Sequence, residues 1–120
     1  MTFILEKSYF TYVQVWDNFK LRCSHGHAVR YGGGVGGITI PLRKAVAQWN
    51  KARHANLDIC GHWHQFLDLG DVIVNGSLIG YNAFALRIKA NYEPPRQAFF
   101  LIDETVGKTV VAPILLTEDR

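Results

Sequence analysis

Two imidazoles two residues apart are the first side chains in this sequence that could do chemistry. The stretch Asp58-Ile-Cys-Gly-His-Trp-His64 sets His62 and His64 on either side of Trp63, directly after a short apolar run, Leu57 to Cys60. In extended backbone, side chains two residues apart point to the same side, so both imidazoles would face one way and Trp63 the other. Neutral imidazole is the commonest metal ligand, and two on one side form a clip. Gly61 removes a side chain where the chain must bend and something must come close. The competing reading is a pair of polar loop histidines beside a packed tryptophan. A second cluster, Ser24-His25-Gly26-His27, also follows a strand-like run. A fold that gathers strand ends on one edge would bring His25, His62 and His64 together from distant parts of the chain.

The elements that must position these residues are legible as patterns. Residues 2 to 23 read as an antiparallel pair. Tyr9 to Trp16 is rich in β-branched and aromatic types, Asp17-Asn18 supplies a turn, and Phe19 to Cys23 alternates apolar and basic residues. Phe19, Leu21 and Cys23 would share one face, with Lys20 and Arg22 on the other. A main helix is expected over about 41–54. Pro41 opens it, Thr39 is the nearby capping candidate, and Leu42, Ala45, Val46 and Trp49 recur at helical spacing. His54 at its end reads as a dipole-compatible cap rather than a ligand. Val72 to Val74 is a buried strand, Leu78 to Ala85 a loop or single helical turn, and Arg87 to Arg96 a surface crossing. Gln97 to Ile102 and Thr109 to Leu116 are the last strands, and Pro113 demotes the second to an edge or bulge.

Composition bounds the class. With 48% hydrophobic and 19% charged residues over 120 positions, the chain is globular rather than disordered and reads as a single domain, 1–120. No apolar run approaches the roughly 20 residues of a membrane helix, and the N-terminus lacks signal-peptide form, so a cytoplasmic location is expected. Between Asp17 and Asp58 there is no acidic residue, whereas Lys20, Arg22, Arg30, Arg43, Lys44, Lys51 and Arg53 all fall there. This block suits a phosphate ester or nucleic acid, or else is a solvated helix face with strand-edge charges. Within it, Tyr31-Gly-Gly-Gly-Val-Gly-Gly-Ile38 lacks the Gly-Lys-Ser/Thr of a Walker loop. It is either a mobile glycine loop or one whose bare amides approach an anion, with Arg30 at its entrance. Arg30, Gly33, Gly34, His27 and Asn75 are therefore the expected substrate or partner contacts.

The succession of His25-Gly26-His27, a helix, Gly61-His62-Trp63-His64 and Val72-Ile-Val-Asn-Gly-Ser77 resembles the calcineurin-like metallophosphoesterases. More narrowly it looks like the C-terminal half of a phage or bacterial member, over most of residues 9 to 116. The resemblance implies an α/β (α+β) fold, a partial β-sandwich of mostly strands with one main helix. It also implies a centre of divalent metals, manganese, iron or zinc, that clamps a phosphate ester and activates water. Carried over by position, His25 and His62 match ligands of the second metal and His64 a ligand of the first; His27 matches a motif residue that is not a ligand. The family's remaining motifs are an Asp-x-His, a Gly-Asp giving the bridging carboxylate, and a Gly-Asn-His. They have no counterpart ahead of His25, where the acids are only Glu6 and Asp17. At most one metal is expected, with no residue placed as catalytic and hydrolysis impaired. The alternative is a phage-derived binding protein that inhibits a host complex. A third reading, a structural zinc site, rests on the Cys-x-His pattern shared by Cys23-Ser-His25 and Cys60-Gly-His62. A homodimer, or a protein partner in place of the family's other half, is expected to meet the strand Tyr9 to Trp16.

Overall fold

A six-stranded mixed sheet forms the middle of the molecule, with a helix on one face and a two-stranded ribbon on the other. The computed structural model describes residues 1–5, 9–31, 35–80, 82–88 and 92–116. Strand β2 (Thr11–Trp16) pairs antiparallel with β1 (Thr2–Leu5) on one side and with β3 (Phe19–Ser24) on the other. Helix α1 (Thr39–Ala52) then crosses over to β4 (Leu57–Cys60), which pairs parallel with β3. β5 (Leu67–Asp68) and β6 (Val72–Val74) follow, giving the order β1-β2-β3-β4-β6-β5. A short helix, α2 (Ala83–Arg87), precedes β7 (Arg96–Asp103) and β8 (Gly107–Leu115), which pair antiparallel as a separate sheet. Among the described residues no helix is long and apolar enough to cross a membrane.

Side-chain alternation assigns the layers. Leu42 and Val46 of α1 pack with Cys60, Trp63, Val72 and Val74 on one face of the sheet. Leu21, Leu57 and Ile73 face the other way, against Ala98, Phe100, Ile102 and Val111 of the ribbon. Buried on both sides, β6 reads as an uninterrupted Val-Ile-Val rather than an alternating strand. Cys23 belongs to the ribbon-side cluster and Cys60 to the helix-side one. The two thiols therefore lie on opposite faces of the sheet, which overturns the shared zinc site. Burial, with the charge of Asp58, pushes the Cys60 thiol up to about 12, as an inert core cysteine.

The N-terminal region holds one strand more than the expected pair. β1 precedes the expected pair, so β2 lies between β1 and β3 and has no free edge. A partner therefore cannot add to β2 edge to edge. α1 starts earlier than expected. Thr39 is its first residue rather than its cap, and Ile38 occupies the cap position without a side-chain hydrogen bond. Pro41 stays inside the first turn, where its missing N–H breaks no helical bond. The helix ends at Ala52 with Arg53 as the C-terminal cap, and His54 lies exposed beyond it.

Arg22 is the largest departure from the pattern. Expected on a basic face, it is fully buried under α1, where Nε and Nη2 donate to Asp58 Oδ2 and Oδ1 at 2.7 and 2.9 Å. Nη2 also donates to Asn50 Oδ1 at 2.8 Å, and Nη1 to the Arg53 carbonyl at 2.7 Å. The guanidinium lies 5.6 Å from the ring centre of Phe10 and 5.5 Å from that of Trp49. Burial works against its charge, but the hydrogen bonds and charge of Asp58 outweigh it and raise the Arg22 pKa. One residue of the basic block is thus neutralised internally and cannot greet an anion. Arg43, at the surface, pairs with Asp71 at 3.2 Å.

Candidate functional site

The parallel pairing of β3 and β4 brings two of the histidines together. Ser24 stands opposite Cys60, so the segments leaving the two strands run side by side. The Gly61 N–H donates to the His25 carbonyl at 3.0 Å. Gly26 adopts φ 106°, and a Cβ there would stand 2.7 Å from the Gly61 carbonyl oxygen. Only a bare backbone permits that approach. The side chains follow: His25 Nε2 lies 3.1 Å from His62 Nδ1, with their ring centres 5.0 Å apart. His27 joins the edge of the cluster, its ring centre 5.2 Å from His25 and 6.4 Å from His62.

The expected geometry of His-x-His differs from what is found. β4 ends at Cys60, and His62 and His64 take left-handed backbone conformations, φ 73° and 55°. Strand alternation therefore does not decide where these rings point. Trp63, between them, is buried in the helix-side core and meets Tyr31 edge-on at 5.7 Å. Burial lowers the pKa of His62, helped by the imidazoles of His25, His27 and His64. Burial likewise lowers that of His64, with a contribution from His25. These shifts favour the neutral form, the form that binds metals.

Among the described residues, no three His, Cys, Asp or Glu side chains come together so as to hold a metal ion. The His25 and His62 ring nitrogens stand at the distance of an N–H···N hydrogen bond, which is also the spacing of two imidazole ligands on one cation. Two nitrogens bound to it at about 2.0–2.1 Å would sit roughly 2.9–3.4 Å apart. The 3.1 Å separation lies inside that window. The donor set is imidazole alone. Asp58, close by in sequence, is committed to Arg22, and a bridged pair of metals, which needs a shared carboxylate, is not matched by these residues.

The other expected contacts are scattered. Arg30 is exposed at the entrance of the glycine loop, and Gly33 and Gly34 lie outside the described residues. Asn75 is given over to the ribbon: its Oδ1 accepts the Ala98 N–H at 2.6 Å, and its Nδ2 donates to Gln97 Oε1 at 2.9 Å. Gly76 and Ser77 extend the same seam, their carbonyls accepting from Gln97 Nε2 and the Arg96 N–H, each at 3.0 Å. Sequence reasoning also missed Tyr9, whose hydroxyl accepts the Gly26 and Ala28 N–H groups. A tyrosine ahead of a strand carries no signal of that role.

No protein-family profile matches the chain, and no curated protein does. Solved structures do. A single mutant of Vps29 from Entamoeba histolytica superposes with TM-score 0.57 and 18% identity, over 91% of this chain and 61% of that one. Wild-type Vps29 from the same organism, complexed with zinc, gives TM-score 0.56 and 19% identity, over 90% and 61%. The chain thus spans less than two thirds of the length of the structures it resembles. Its fold is mixed α/β, mostly strands with one main helix, and similar to that of Vps29.

Proposed function

We propose, from the premise of a metallophosphoesterase-like fold, that this chain carries the histidine side of that family's metal site and is catalytically impaired by itself. The observation that carries the reading is the 3.1 Å approach of His25 Nε2 to His62 Nδ1 across neighbouring parallel strand ends. One divalent ion, manganese, iron or zinc, would be held by His25 and His62, with His64 the next imidazole along the chain. Bound there, the ion would supply Lewis-acid polarisation of a phosphate oxygen. The chain's own part is to hold the two imidazoles neutral and close.

Two measurements test it. Calorimetric titration with manganese and zinc should show no more than one site, weakened in His25→Asn and His62→Asn. Two strong sites, or binding that ignores both substitutions, would refute the reading. Hydrolysis of bis-p-nitrophenyl phosphate with manganese should be absent or slight. Robust turnover abolished by His62→Asn would overturn the impairment.

A second reading, a non-enzymatic protein that binds and inhibits a host complex, is favoured by one observation. The outer face of the β7–β8 ribbon is apolar and uncovered, with Phe99, Leu101, Val110 and Ile114 each 42–48% exposed. A contiguous apolar patch on a soluble protein marks an interaction surface. Retained self-association or partner binding by the His25→Asn/His62→Asn double variant would favour this reading over the metal-centred one.

A further inference from the structure

The loop that carries His25 and His27 is held from two directions. Behind it stands the Gly61 backbone, whose N–H reaches the His25 carbonyl. On the other side stands Tyr9, which belongs to no strand or helix. Its hydroxyl oxygen accepts the Gly26 N–H at 2.6 Å and the Ala28 N–H at 3.1 Å. A hydroxyl has two acceptor lone pairs, so these two amides use its accepting capacity. The ring is fixed as well. Its edge-on partners are His27 at 4.9 Å and Phe10 at 5.0 Å, with Trp49 of α1 at 6.3 Å. One side chain thus grips the loop at the residues before and after His27 and touches the His27 ring itself.

We infer that Tyr9 is the positioning residue of the histidine cluster: its hydroxyl sets the loop after β3 so that His25 meets His62. The geometry stands on its own, while the consequence for metal affinity rests on the proposed metal-binding reading. Phenylalanine fills the same space but accepts no amide. In Tyr9→Phe the Gly26 and Ala28 N–H groups lose their shared acceptor, which leaves the loop held by the Gly61 N–H at His25 and by the buried Val29 at its far end. Phe10 provides the control. It is the neighbouring ring, packed edge-on to Trp49 at 4.8 Å, and it has no hydroxyl.

The test is nuclear magnetic resonance on the metal-free protein, followed by manganese and zinc titration. In Tyr9→Phe, exchange of the Gly26 and Ala28 amides should rise at least about tenfold, and the contact between the His25 and His62 rings should weaken. Phe10→Leu, which removes a ring packed on Tyr9 but leaves the hydroxyl acceptor in place, should change both less than Tyr9→Phe does. Where the wild type binds metal, Tyr9→Phe should bind about 10-fold more weakly, the range typical of groups that orient ligands. Unchanged amide exchange and ring contact in Tyr9→Phe would overturn the inference, as would equal responses in Tyr9→Phe and Phe10→Leu. A wild type that binds no metal while Tyr9→Phe still loosens the loop would sink the proposed function and leave this inference standing.

Discussion

At the scale of single residues, the histidines set the pH response. His62 and His64 have pKa values below 6.5, lowered first by burial and then by the neighbouring imidazoles. The unfolded chain takes up protons at the ordinary histidine pKa that the folded chain resists, so folding stability should fall as pH drops through about 6.5. The denaturant midpoint should be lower near pH 5.5 than near pH 7.5, and the gap should narrow in His62→Asn/His64→Asn. Asparagine suits the test because it tolerates left-handed backbone. A gap that persists undiminished would mean that other groups carry the response. The meeting of His25 with His62 was legible, because two strand-like runs each ended in a glycine-flanked histidine. The left-handed turns at His62 and His64 were not. Gly61 marks the bend after Cys60, but no local pattern shows that both histidines beyond it turn left-handed.

At the scale of elements, the weld between β3, β4 and α1 is the buried pair of Arg22 and Asp58 with Asn50 and the Arg53 carbonyl. Asp58→Asn would leave a guanidinium uncompensated in the interior, at a cost of about 3–5 kcal/mol. Urea unfolding measures it, and a loss below about 1 kcal/mol would show that water reaches Arg22 after all. Replacing both partners with apolar residues should recover much of the loss, since an ion pair of this kind often contributes little net stability over well-packed side chains. Hairpins and the helix could be read because their signals are local: Asp17-Asn18 for one turn, the apolar stripe of α1 for the helix. The Arg22 weld could not. On its own strand Arg22 alternates like a solvent-facing residue, and only the crossover of α1 puts a lid on that face.

At the scale of the whole molecule, the layers end in an open face. Helix, sheet and ribbon cover one another in turn, but the outer side of β7 and β8 faces solvent with Phe99, Leu101, Val110 and Ile114. Edge pairing through β2 is closed off by its two neighbours, and the ribbon face is the surface proposed here for a second copy. A second copy stacked ribbon to ribbon is the expected outcome. Light scattering at micromolar concentration should show a dimer that Phe99→Ser/Leu101→Ser dissociates. A 13.6 kDa particle for the wild type would refute it.

The seam at Asn75-Gly76-Ser77 has a consequence for how the molecule opens. β7 and β8 are joined by a tight turn, Asp103 accepting the Thr105 and Val106 N–H groups, so the hairpin can form without waiting for the rest of the chain. Its attachment to the sheet relies on a few hydrogen bonds from one loop, one from Trp16 Nε1 of β2 to the Ile102 carbonyl at 3.1 Å, a salt bridge from Lys108 to Asp68 at 2.7 Å, and the side chains of its inner face. The ribbon is thus a unit that can lift away while the six-stranded sheet stays intact. In Asn75→Ala, backbone amides of β7 should exchange with solvent water through a partial opening of lower free energy, with those of β4 and β6 still exchanging only on global unfolding. Uniform acceleration across both sheets would mean that the ribbon and the sheet unfold as one.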